Sequence, residues 1–214
     1  MTSEEYNKQF TEEDAPGWLA IDAAIEKVYG KQEPRHYASV IKYMLGGPDP
    51  LDGTSVYDSQ EQTFHRHVVS YGMSELYYAP ESIGKAFSNW GIEFTMRIKS
   101  KEGDKDPNWV IGLMNNLARY VFQSGNWFED YHYIPANGPI KLDSNTDKAG
   151  ILFITDPQLG TIETPHGKVA FLQLVGITEV QLERLKKSPE EGPLLVEEIR
   201  INNPLFITDL NEIE

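Results

Sequence analysis

The sequence predicts an α+β domain, a mixed α/β sandwich in which helices pack on a mostly antiparallel or mixed sheet. Three observations predict it. Between 106 and 125 apolar residues recur at helical steps, while several short runs elsewhere are rich in β-formers and bounded by glycine, proline and aspartate. The order of these helical and extended segments favours α+β, and no repeat, low-complexity tract or linker divides them. One domain over residues 15–214 is therefore expected.

Residues 1–14 hold five acids and little periodicity, which predicts a flexible acidic leader. Leu19, Ile21, Ala24, Ile25 and Val28 suit a helix from Pro16 to Tyr29, stopped by Gly30. His36 to Leu45 is rich in β-formers, and GGPDPLDG then breaks the strand into a turn. Phe64–Tyr71 and Gly91–Lys99 follow as strands, the second with Ile92, Phe94, Met96 and Ile98 on one face. Val110, Leu113, Met114, Leu117, Ala118, Val121 and Phe122 form the apolar stripe of the next helix. Asp106 is placed to cap it, Pro107 to occupy its first position and Gly125 to end it left-handed.

Gly150–Thr155, GILFIT, predicts a strand covered on both faces. LGTIET and KVAFLQLVGI predict a hairpin joined at PHG, its second strand mostly apolar on both sides. Thr178 and Gln181 supply a capping box for a helix through Val180, Leu182 and Leu185, and Pro189–Ile199 a further helix. NPLFITDL predicts a last strand or extended arm.

At 214 residues and 40% hydrophobic content the chain can bury a proper core. It has 19 Lys and Arg against 33 Asp and Glu, a net charge of −14, which repels phosphate backbones and anionic lipid; neither nucleic acid nor a membrane is an expected partner. A basic protein is compatible with that field. The absence of cysteine removes disulfides, thiol nucleophiles and thiolate zinc sites. The acidic start lacks signal-peptide character, and no apolar run approaches the roughly 20 residues of a membrane span, so a soluble cytoplasmic protein is expected.

Catalytic signatures are missing: there is no G-x-S-x-G, H-E-x-x-H, P-loop or G-x-G-x-x-G. His65 and His67 share a strand face, but no third ligand is adjacent, and no metal or other cofactor is expected. Asp49, Asp52 and Gly53 lack the spacing of a calcium loop and predict a turn. Asp156 is placed to hold the turn after its strand through backbone N–H groups. An enzyme using carboxylates or the histidines is the remote alternative. The run Trp127, Phe128, Glu129, Asp130, Tyr131, His132 and Tyr133 instead suits a contact surface of aromatic anchors and charges, or else an aromatic seal on the core.

APGWLAIDAAIEKVYG, GGPDPLDG, LARYVFQSGN and DPQLGTIETPHGKVAFLQLVGIT, in this order and spacing, resemble the Suppressor of fused domain family from about Ala15 to Leu210. The resemblance implies a mixed α/β fold with no known catalytic activity. Animal members carry a second, C-terminal domain and clamp a short peptide of a zinc-finger transcription factor. This chain looks like the compact bacterial form, for which the implied role is an immunity or antitoxin protein covering a toxin, possible partners including a basic toxin domain. The alternative is an adaptor gripping an extended peptide along a sheet edge. Tyr120 matches a family tyrosine near the peptide groove, whereas the family's following acidic residue aligns here near His132, with Glu129 and Asp130 just before it. Tyr120, Trp127, Glu129, Asp130, Tyr131 and His132 are accordingly the expected partner-binding residues.

Overall fold

A computed structural model describes residues 2–210, and an eight-stranded sheet runs through its middle. The strands are β1 Arg35–Ala38, β2 Gly53–Ser59, β3 His65–Tyr71, β4 Phe87–Lys99, β5 Tyr133–Pro135, β6 Lys148–Thr155, β7 Thr161–Thr164 and β8 Gly167–Thr178. They lie in the order β1-β2-β3-β4-β8-β6-β5, with β7 paired to the first part of β8 beside β6. All pairs are antiparallel except β4 with β8, which is parallel, so the sheet is mixed as expected.

The helices are α1 Ser3–Gln9, α2 Pro16–Tyr29, α3 Asn108–Ser124, α4 Glu179–Lys187 and α5 Gly192–Asn202. On one face of the sheet α3 buries Val110, Met114, Leu117, Ala118 and Val121 against Ile92, Phe94, Met96 and Ile98 of β4 and Leu172 and Leu174 of β8. Each such aliphatic side chain taken from water contributes about 1.5–3 kcal/mol. On the other face α2 sets Ile21, Ala24 and Ile25 over Tyr57, Val69, Tyr71 and Phe171. There α4 and α5 place Leu182, Leu185, Leu195 and Val196 over Leu152, Ile154, Val175 and Ile177. β8 is therefore mostly apolar on both sides because helices cover both, Gln173 being the buried exception.

Several expectations need correction. The leader is not frayed over 2–10: Thr2 and Glu5 form a capping box for α1, and Tyr6 is fully buried, its hydroxyl 2.7 Å from His166 Nε2 and accepting the Ala79 N–H at 3.0 Å. Acidic composition concealed one anchoring aromatic. β1 stops at Ala38, opposite the first residue of β2, Gly53; beyond it Ser39 still donates its N–H to Asp52 O at 2.8 Å before the chain turns away. Val40, Ile41, Tyr43 and Leu45 are exposed in the loop that follows. β2, polar at Thr54, Ser55, Asp58 and Ser59, is a strand where the sequence pattern predicts none. Leu19, counted on the α2 stripe, is exposed.

Gly125 ends α3 left-handed at φ 74°, its N–H bonding Val121 O, as predicted. Asp106 does not cap the helix. Its carboxylate accepts from Arg35 Nε at 2.8 and 3.0 Å and from the Tyr37 hydroxyl at 2.6 Å, and Arg66 Nη1 lies at 3.0 Å. Two guanidinium groups are stronger partners than helix amides. Burial opposes the charge of Asp106, but Arg35 and Tyr37 outweigh it and hold the carboxyl below its usual range.

β4 starts four residues before the predicted Gly91, and β6 two before Gly150. The predicted hairpin is β7–β8, and the capping box of α4 is present. α5 begins at Gly192 because 189–191 form a separate 3-10 turn. The last segment is an arm, pairing in parallel with the end of β4 through Thr208 N–H to Arg97 O at 2.8 Å and Lys99 N–H to Thr208 O at 3.0 Å. Among the described residues no helix is long and apolar enough to cross a membrane.

Candidate functional site

Seventeen residues of helix at 1.5 Å each make α3 about 25 Å long, whereas thirteen residues of β4 extend for roughly 43 Å. The helix cannot cover the whole strand. It ends beside the first part of β4, where Phe122 meets Trp90 with ring centroids 5.6 Å apart. The chain then crosses the sheet and buries Phe128, stacked on Phe153 at 4.3 Å and within 5.7 Å of Tyr120.

Phe128 divides the exposed apolar surface into two grooves. The first, about 630 Å³, lies between α3 and β5 and is lined by Leu113, Leu117, Tyr120, Ile134, Pro135 and Leu142 among others. The second, about 440 Å³, lies over the uncovered part of β4 and β8, with Phe87, Trp90, Ile92 and Trp127 as walls and Glu129 and Asp130 at its rim. Tyr120 is 47% exposed, Trp127 54% and Phe87 60%.

The six expected residues are thus divided. Trp127, Glu129 and Asp130 come together: the Trp127 indole N–H donates to Glu129 Oε1 at 2.9 Å, and Asp130 accepts the Thr155 hydroxyl at 2.8 Å and the Thr155 N–H. Tyr120 stands across Phe128 in the other groove. Tyr131, at φ 69°, turns its side chain against Gly192, where an added Cβ would meet the Tyr131 Cβ at 2.9 Å. His132 accepts the Glu129 N–H at Nδ1, 3.2 Å away, and leads into β5; neither Tyr131 nor His132 lines a groove. The groove walls from Phe87, Trp90, Ile134, Pro135 and Leu142 are not among the residues expected from the sequence. Phe87 and Trp90 in AFSNWG, just ahead of a predicted strand, were the available signal.

β5 is the sheet's open edge on this side. Inward, Phe153 N–H bonds His132 O at 2.9 Å and Ala136 N–H bonds Ala149 O at 2.9 Å. By antiparallel alternation the backbone of Tyr133 faces outward, with the Pro135 carbonyl beyond it.

The opposite face of β4 carries polar residues that the sequence would place in water, yet Glu93, Thr95 and Arg97 are fully buried. Arg97 donates to Asp156 at 2.7 Å, to Gln173 at 2.5 Å and to Gln158 at 2.7 Å. Asp156 also accepts from Thr95 Oγ1 at 2.8 Å and from the N–H groups of Gln158 and Leu159 at 2.9 Å, the turn-holding role its position predicted. His67 sits between Tyr29, whose hydroxyl is 2.8 Å from Nδ1, and Asp156, 3.2 Å from Nε2; a neutral ring protonated at Nε2 satisfies both. Burial, then the nearby Arg97, lower its pKa to about 4. Burial disfavours the Asp156 charge too, but His67 and Arg97 prevail and keep its carboxyl well below the usual range. Glu93 accepts from the hydroxyls of Ser70 and Ser74 and the N–H groups of Gly72 and Ser74; burial still pushes its pKa up.

These clusters are sealed from solvent and suited to hold loops in place rather than to meet a substrate. Gln173 extends the tie to the C-terminal arm through the carbonyls of Leu205 and Phe206 at 3.0 and 3.1 Å. His65 donates from Nδ1 to Thr63 O at 2.8 Å. Among the described residues no three His, Asp or Glu side chains converge as a metal-ligand set.

The family profile "Suppressor of fused protein (SUFU)" matches residues 47–211, more than half of the chain. The Suppressor of fused homologs of Homo sapiens and Mus musculus are each 36% identical over 212 residues, 92% of this chain and 43% of theirs. The chain thus spans less than half the length of these relatives. Among solved structures, the Sufu-Fu complex matches with a TM-score of 0.83 at 27% identity, covering 94% of this chain and 92% of that one. Drosophila Suppressor of Fused matches at 0.81 and 27%, covering 95% of this chain and 52% of that one. A homolog from Neisseria gonorrhoeae shares the fold at 0.58 and 14% identity, covering 92% of this chain and 96% of that one. Sequence and fold agree, and the chain belongs to the Suppressor of fused family.

Proposed function

We propose that the chain is a non-enzymatic protein-binding module of the cytoplasm, an adaptor that grips an extended segment of another protein along the outer edge of β5. The open edge beside the Tyr120 groove carries this reading. An added strand gains main-chain hydrogen bonds from Tyr133 and the Pro135 carbonyl, while alternate side chains fall into the apolar groove. Kinship with a protein crystallised as a Sufu-Fu complex supports a protein as the occupant.

Peptides selected by display on the wild-type protein supply the test. They are expected to protect the Tyr133 amide from hydrogen exchange, and Tyr120→Ala should weaken them by roughly 30-fold, the loss of one central aromatic anchor. Protection elsewhere with unchanged affinity for Tyr120→Ala would reject the edge.

The second reading, an immunity protein that covers a basic toxin domain, rests on the net charge of −14. It requires a folded partner burying roughly 1,200 Å² or more, so short peptides would not compete with that partner. Competition by a selected peptide favours the adaptor.

A further inference from the structure

The groove on the far side of Phe128 has a different chemistry from the one beside β5. It exists because α3 is too short for β4, which leaves Phe87 exposed and Trp90 and Ala170 only partly covered beyond the helix end, over a floor that includes the buried Leu172. Apolar surface of this kind is a docking site in waiting when something fixes what covers it. Here charge does.

Glu129 and Asp130 stand at the rim, and among the described residues no lysine, arginine or histidine forms an ion pair with either. Their hydrogen bonds to Trp127 and Thr155 fix their positions without neutralising them. The last turn of α3, whose Phe122 rests on Trp90, contains no basic residue, so its carbonyls add the negative end of the helix dipole. Lys168, paired in register with Phe87, points its ammonium to Glu163 at 3.8 Å. An apolar floor under an uncompensated negative rim selects an apolar group carried next to positive charge. A second copy of the chain is a poor occupant, since it brings a charge of −14 toward another −14.

We infer that this groove is a second docking subsite, which accepts a large apolar side chain flanked by arginine or lysine from a protein partner. The inference deepens the protein-binding reading and rests on it. The aromatic walls supply desolvated contact, while Glu129 and Asp130 raise the encounter rate and select the flanking charge.

The four tryptophans make the test direct. Their indole N–H signals in a two-dimensional NMR spectrum are assigned by single Trp→Phe variants, and the full chain is titrated with the capped peptide Gly-Ser-Arg-Trp-Arg-Ser-Gly. The signals of Trp90 and Trp127 should move saturably while those of Trp18 and Trp109 stay in place. The same peptide with glutamate for both arginines should bind at least about tenfold more weakly, since like charges then meet at the rim. Glu129→Gln with Asp130→Asn keeps the acceptors for Trp127 and Thr155 and should weaken the arginine peptide about fivefold at low salt, with little difference at high salt.

Equal shifts from the arginine and glutamate peptides would overturn the charge selection, and no movement of Trp90 and Trp127 would overturn the subsite. Shifts in the free protein that depend on its own concentration would mean that a second copy occupies the groove. Amide shifts at Tyr133 and Ile134 without indole shifts would reject this subsite and leave the β5 edge standing. Silence at both places, together with failure of display-selected peptides, would reject the protein-binding reading itself.

Discussion

Arg97 is the largest side chain that the fold excludes entirely from water, and it is tolerated only because Asp156, Gln173 and Gln158 meet it. A buried guanidinium without such partners would cost several kcal/mol. His67 belongs to the same cluster, with the opposite requirement: with Arg97 nearby it must remain neutral. Its native pKa of about 4 lies below the 6.5 of an exposed imidazole, so between those values the unfolded chain binds a proton that the native state does not. Stability from this residue is complete above about pH 6.5 and falls as the pH drops toward 4, by roughly 1 kcal/mol per pH unit. His36 and His65 are lowered in the same sense, while Glu93 and Asp22 are raised and act in the opposite one. Comparison with His67→Gln isolates the term. In urea unfolding between pH 6 and 5, the variant's stability should depend on pH less steeply by about that amount. Equal slopes would show that native His67 carries a proton.

At the scale of elements, what was legible followed local pattern. The α3 stripe from Val110 to Phe122, its glycine end, the β7–β8 hairpin and the α4 capping box each declare themselves within a few residues. β2 did not, because Thr54 and Ser55 are buried by the surrounding structure while their polar character marks them as surface residues. Nor did the polar face of β4: Glu93, Thr95 and Arg97 alternate with apolar residues as a solvent face would, and Asp156 is 59 positions from Arg97. The residues expected to bind a partner stand in the sequence almost as one run, whereas the two grooves near them do not show there, since their walls come from β4, β5 and β8. α1 was missed for the same reason, its only buried residue being Tyr6. Tyr6→Phe should cost about 1–3 kcal/mol, because His166 Nε2 and the Ala79 N–H both lose their partner. Chemical denaturation measures it, and a variant of unchanged stability would mean that water replaces the hydroxyl.

At the scale of the molecule, 33 acids against 19 basic residues leave an excess that surface ion pairs do not cancel. Self-repulsion of that excess opposes compactness, whereas exposed ion pairs contribute little each. The melting temperature is therefore expected to rise as NaCl goes from ~0.01 M to ~0.15 M, where the screening length shortens to about 8 Å. A fall would show that attractive pairs dominate. The parallel pairing of β4 with β8 governs a different matter, the order of events during synthesis. Ile92 pairs with Ala170, 170 − 92 = 78 residues later. At about 5–20 residues per second, the translating ribosome needs roughly 4–16 s to deliver that partner. Throughout that interval β4 has β3 on one side and an unpaired edge on the other. The sheet can close only when β8, its last strand, emerges.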